Sequence, residues 1–137
     1  MKQEDKELLL RDLCSRLPYG IKIHAKDIDI NTNVEVEKVG ELSMVDGNGV
    51  IAFTCDDTNY YHFVDIHEVK PYLFPLSSMT EEQDKEFSLL QTSAGQEGFL
   101  YIWNCANMMK WLIENHFDYN GLILKGLAID ATSKNIY

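Results

Sequence analysis

The sequence predicts an α+β fold: an N-terminal helix, a small antiparallel β-barrel or strongly bent sheet, and C-terminal helices packed on it. Three observations carry that expectation. Leucines recur at helical spacing up to Leu17; the apolar pattern then changes to a period of two between Tyr19 and Val69; and a capped, helix-spaced pattern returns after Thr80. At 137 residues the chain has the length of one domain. The expected organisation is a single domain, with a helix at 1–17, a β module at 18–70, a connector at 71–79 and a helical part at 80–137.

The first helix is expected over residues 3–16. Leu9, Leu10, Leu13, Cys14 and Leu17 share its apolar face, leaving Glu4, Asp5, Lys6, Arg11 and Asp12 for water. Acidic residues open it, Arg16 closes it, and Pro18 ends it. Gly20 then allows a turn. Ile21, Ile23 and Ala25 alternate with Lys22, His24 and Lys26, and Ile28 and Ile30 continue the run until Asn31-Thr32-Asn33 breaks it. Val34 and Val36 alternate with Glu35 and Glu37, and Leu42 to Val45 follows Gly40. Asp46-Gly47-Asn48-Gly49 is the clearest hairpin signal, because Gly and Asn tolerate the positive φ of tight turns. Val50 to Cys55 is the returning strand, Asp56-Asp57-Thr58-Asn59 a further turn, and Tyr60 to Val64 an aromatic, β-branched strand.

Over residues 66–79, Pro71 and Pro75 are expected to exclude a central strand, while Tyr72, Leu73, Phe74, Leu76 and Met79 are too apolar for a free linker. Thr80-Glu81-Glu82-Gln83 is a capping box, opening a helix to about Gln91 with Phe87 and Leu90 inward. Thr92 to Gly98 reads as a loop. Leu100 to His116 reads as the longest buried helix, with Tyr101, Cys105, Met108 and Leu112 on one stripe, widened by Trp111 and Ile113. Phe99 to Trp103 fits a short strand equally well. Asp118 is placed to cap a last turn that Gly126 stops, and the tail from Ala131 to Tyr137 is expected to be loosely held. One joint core is expected for the β and helical parts.

The chain carries 12 Lys and Arg against 22 Asp and Glu, a formal charge of −10. From Asp27 to Glu68 there are ten acidic residues and one base, Lys38. Such a field repels phosphate backbones and attracts a basic partner. No apolar run approaches the ~20 residues of a membrane span, and no basic-then-apolar leader opens the chain. Cys14, Cys55 and Cys105 are scattered and odd in number, which fits a reducing compartment and small hydrophobic side chains. A cytoplasmic protein is the expectation.

The search for chemistry implies no catalytic residue, no metal site and no cofactor. Gly47 and Gly49 lack the helix and Lys-Ser/Thr of a phosphate cradle. His24, His62, His67 and His116 match no zinc spacing. The oxygen-rich turns at Asp46 and at Asp56–Asn59 lack the EF-hand pattern, and Asp and Asn suit turns for backbone reasons alone. Tyr60, Tyr61, Phe63, Tyr72 and Phe74 suit a barrel core, or the wall of a peptide groove.

Leu17-Pro18-Tyr19-Gly20, then Val69-Lys70-Pro71-Tyr72-Leu73 with Pro75 and Ser77-Ser78-Met79-Thr80-Glu81-Glu82, then His116-Phe117-Asp118-Tyr119-x-Gly121-Leu122-Ile123 with Lys125-Gly126-Leu127-Ala128, resembles a set of short uncharacterised proteins of gut Bacteroides-type bacteria and of their phages and mobile elements. The likeness covers both ends and the connector, not Ile28 to Tyr61, and Phe74 stands where the pattern has Arg. It implies a cytoplasmic protein of phage or prophage origin and fixes no site residue.

The leading expectation is a non-enzymatic protein-interaction module that meets a basic surface through Asp56, Asp57, Tyr60 and Tyr72. Charge reversal at Asp56 and Asp57 should then weaken binding and lower its salt sensitivity. A nucleic-acid-associated module requires Arg16, Lys22, Lys26 and Lys70 on one face, against the net charge. A small-ligand binder or enzyme requires a pocket between barrel and helices.

Overall fold

The computed structural model of the chain describes residues 1–92 and 98–137. Helix α1 (Gln3–Arg16) precedes strands β1 (Lys22–Ile28), β2 (Glu35–Val45), β3 (Val50–Thr54), β4 (His62–Asp65) and β5 (Val69–Leu73); helices α2 (Glu81–Thr92) and α3 (Gly98–Glu114) follow, then the short strand β6 (Ile129–Asp130). The architecture is α+β. Its six-stranded sheet is open and runs β4-β3-β2-β1-β5-β6, antiparallel except for the β5–β6 pair. The expected loop at Thr92–Gly98 falls largely outside the described residues.

Strand alternation sorts the side chains. Ile23, Ala25, Leu42, Ile51, Phe53, Val64, Val69 and Leu73 point to one face, where Leu9 and Leu13 of α1 close the core. On the other face, Lys22, His24 and Lys26 stand opposite Glu41, Val39 and Glu37 of β2. The β2–β3 turn is the expected one: Gly49 N–H donates to Asp46 O at 2.9 Å, and Gly49 has φ +93. The capping box is formed too, with Gln83 N–H donating to Thr80 Oγ1 at 3.1 Å and Thr80 N–H to Gln83 Oε1 at 3.0 Å. Phe87 and Leu90 pack inward as expected, in a second cluster around Trp111, Leu112 and Phe117.

The joint core thus divides into two clusters. Phe74, which follows Leu73 of the first cluster, forms a parallel bridge with Phe117 inside the second. Arg16, wholly buried at the end of α1, reaches the same place and donates to Phe117 O at 2.7 Å.

Several expectations are corrected. Asp12 does not face water: it is fully buried in an ion pair with Arg16 at 2.7 Å, whereas Cys14 is exposed. The runs noted on either side of Gly40 belong to one strand, β2, which passes through it. Pro71 lies inside the sheet, opposite Ile23. Strand β6 pairs only with Tyr72 and Leu73, so the ladder on that flank begins beyond the proline and asks no N–H of it. Strand β4 starts at His62, leaving Tyr60 and Tyr61 in the preceding loop. In helix α3 Trp111 and Leu112 are buried, while Tyr101 is 48% exposed.

The C-terminal tail is also corrected. Ala131 is buried, and its N–H donates to Leu73 O at 2.8 Å. The Tyr137 hydroxyl donates to Tyr72 O at 2.8 Å and accepts from Lys22 N–H at 3.0 Å. Its ring stacks on His116 at 3.9 Å. Burial, and after it the Arg16 charge, lowers the His116 pKa from 6.5 to about 4. The fold therefore holds a neutral imidazole where the unfolded chain binds a proton. That contribution is intact above pH 6.5 and is lost as pH falls from 6.5 toward 4. Urea stability is expected to decline across this window in the wild type and less steeply in His116→Asn, since Asn does not titrate and tolerates the φ of +63 at this position. Equal slopes in the two proteins would contradict the assignment.

Candidate functional site

The sheet bends until β4 lies against the end of β1. Strand β5 pairs with β1 only over Ile23–Ala25, and β4 pairs only with β3, so no backbone ladder joins β4 to the last residues of β1. Side chains bridge the gap. His62 Nδ1 lies 2.9 Å from Asp27 Oδ2, and His62 Nε2 lies 2.9 Å from Thr58 Oγ1. With the Asp27 carboxylate as acceptor, Nδ1 carries a proton and donates to it. Phe53 stacks against the imidazole at 5.1 Å, and Tyr60 tilts against it at 4.8 Å.

A carboxylate–imidazole–hydroxyl order is also that of hydrolytic triads. Here the imidazole is only 5% exposed, and Thr58 lines neither of the hollows described next. A substrate lying in them would not meet the hydroxyl. The arrangement acts as a strut that closes the bent sheet.

Two hollows, of about 270 and 390 Å³ and together termed the groove, share Asp27, Ile28 and Phe63 at this gap. The first is walled by Ile30, Tyr60 and Tyr61. Ile28, Ile30, Tyr60, Tyr61 and Phe63 are between 52% and 81% exposed. Each is exposed for a local reason. Ile28 and Phe63 point away from the core by strand alternation, and the other three sit in the β1–β2 and β3–β4 loops. The first loop is fixed by Asp29, whose Oδ1 accepts from Asn31 N–H at 2.8 Å and Thr32 N–H at 3.2 Å. Those bonds hold the Asp29 carboxyl below its usual pKa.

The four residues expected to form an interaction surface are dispersed. Tyr60 walls the groove. Asp57 pairs at 3.8 Å with Lys38, which lines the same hollow. Asp56 lines a separate hollow with Glu41 and Thr54. Tyr72 is corrected: it is 5% exposed in β5, held between β1 and β6, and offers no binding surface. Of the four basic residues a nucleic-acid module requires, Lys22, Lys26 and Lys70 share the outward sheet face and Arg16 does not. Arg16 is buried, and the outward Lys22, Lys26 and Lys70 are interleaved with Glu35, Glu37 and Glu41.

Among the described residues, no three His, Cys, Asp or Glu side chains come together to hold a metal ion, and no helix is long and apolar enough to cross a membrane. Cys55 is buried; burial, and after it the Asp57 charge, pushes its thiol pKa up, away from a reactive thiolate. Phe63, like Tyr60 and Tyr61, fits the groove-wall alternative, whereas Asp27, Ile28, Ile30 and His62 were not foreseen as site residues. One signal for them exists in the sequence. The inward positions are Ile21, Ile23 and Ala25, so Ile28 and Ile30 stand one residue out of phase and fall on the outward side. No family model, curated protein or solved structure matches the chain.

Proposed function

We propose that this protein is a non-enzymatic protein-interaction module, of the phage or prophage type its sequence resembles, which acts in the cytoplasm and binds a protein partner along the groove over the β1–β4 gap. The observation that carries the reading is the gathering of five exposed apolar side chains, from two separate stretches of chain, around two adjoining hollows. Scattered surface hydrophobes need no explanation, but a grouped set in a groove marks a binding surface. The rigid strut beneath it presents the groove preformed, which lowers the ordering cost of binding.

A photo-reactive phenylalanine analogue at position 61 tests this, beside the same analogue at Val39 on the outward sheet face. In host cells, position 61 is expected to cross-link a discrete partner and position 39 is not. Phe63→Ser should then abolish binding of that purified partner without lowering the melting temperature. Equal cross-linking from both positions, or none from 61, would count against the groove.

A further inference from the structure

The charge around the groove identifies the chemistry of its occupant, given that the groove is the binding site. We infer that it takes a basic segment of the partner chain, with a lysine or arginine head held against the Tyr60 and Tyr61 rings and the Asp29 carboxylate. The two hollows are lined by five carboxylates, from Asp27, Asp29, Glu35, Asp65 and Glu68, against two ammonium groups, from Lys26 and Lys38. Lys38 lines the first hollow with the tyrosines and acts on Asp29, so it offsets part of the field there. Lys38 is drawn to Asp57, outside the lining of both hollows, and Lys26 lines only the second. Asp27 is committed to His62. Asp29 spends Oδ1 on its own loop, and its carboxylate lines the first hollow. Tyr60 and Tyr61 wall that same hollow and are half exposed.

A cation over an aromatic face gains from the ring quadrupole, and more so when a carboxylate stands beside it. The aliphatic stem of Lys or Arg suits the apolar wall of Ile28, Ile30 and Phe63, because long cationic side chains bury their methylenes while the head stays polar. An acidic segment would face a net excess of like charge. A purely apolar one would cover the Asp29 carboxylate without supplying a cation beside it, which is costly.

Fluorescence anisotropy with three labelled peptides on the full chain tests this: one alternating lysine with valine, and its counterparts with every lysine replaced by glutamine or by glutamate. The lysine peptide is expected to bind about tenfold or more tighter than the glutamine peptide, and the glutamate peptide not at all. Tyr61→Ala and Asp29→Asn should each weaken the lysine peptide about tenfold. Asn keeps the side-chain acceptor the loop needs, so Asp29→Asn removes charge without removing the turn. Equal affinity for the lysine and glutamine peptides would overturn the cationic occupant and leave the groove itself standing. Lysine binding that ignores Tyr61→Ala and vanishes at moderate salt would be diffuse attraction to an acidic surface, and would also overturn it. So would the absence of binding by any peptide, with the cross-linking from position 61 judged separately.

Discussion

Arg16→Met is expected to destabilise the protein by about 3–5 kcal/mol, the usual cost of leaving one member of a buried ion pair without the other. Arg16 and Asp12 are both fully buried one helical turn apart, with Nε donating to Oδ2 at 2.7 Å and one amino group to Oδ1 at 3.2 Å. That amino group also donates to Phe117 O, and the guanidinium lies 5.0 Å from the centre of the Tyr119 ring. Asn120 Nδ2 donates to Asp12 at 2.9 Å, so the carboxylate of the single variant would keep that bond and lose the compensating charge. The pair ties α1 to the segment after α3, across the division between the two hydrophobic clusters. Urea unfolding measures the loss. The double variant Asp12→Leu/Arg16→Met should recover much of it, because no unpaired buried charge remains. A single variant within about 1 kcal/mol of wild type would show that the pair is not what joins the two parts.

Gly40→Ala is expected to cost about 3 kcal/mol, at the upper end for overpacking, and to lower the yield of folded protein. A Cβ at this position would collide with Thr54 O and stand 2.7 Å from the ring of Phe53, with Thr54 C at 3.1 Å. Two of those three atoms are backbone, and Phe53 is fully buried, so the neighbours have little room to yield. Glycine is retained here for close approach between β2 and β3, beside the bulge that shifts their register between Leu42 and Met44. Thermal unfolding of the variant checks this. A melting temperature equal to wild type would mean that β3 can withdraw freely from β2.

Elements written in local pattern were legible. Helix α1, the Asp46–Gly49 hairpin and the capping box of α2 depend on neighbours a few residues away, and each forms as the sequence implies. Features that depend on distant chain were not. Gly40 looks like punctuation until Phe53 and Thr54 are seen to press against it. Pro71 looks like a breaker until β6, from the far end of the chain, is seen to pair only with the two residues after it. Asp12 looks solvated because nothing nearby in sequence announces that Phe117 and Asn120 will close over it. The tail looks loose until Tyr137 finds Tyr72 and Lys22.

The site follows the same division. Tyr60 and the surrounding acidity were legible as a binding wall. Its joining to Ile28 and Ile30 required the bend that brings β4 against β1, and that bend is secured by the Asp27–His62 contact between residues 35 apart in sequence. Tyr72 was misplaced because an aromatic residue in a strand serves a core and a groove equally well until its neighbours are known.

The most direct test of the central claim is the backbone amide spectrum of the labelled protein, recorded with and without the partner captured from position 61. The groove account predicts that shift changes concentrate at Asp27–Asn31 and Tyr60–Asp65, with the outward face at Lys22, Val39 and Glu41 undisturbed. Changes centred on that outward face, or on the exposed part of α3 near Tyr101, with the groove residues unmoved, would contradict it.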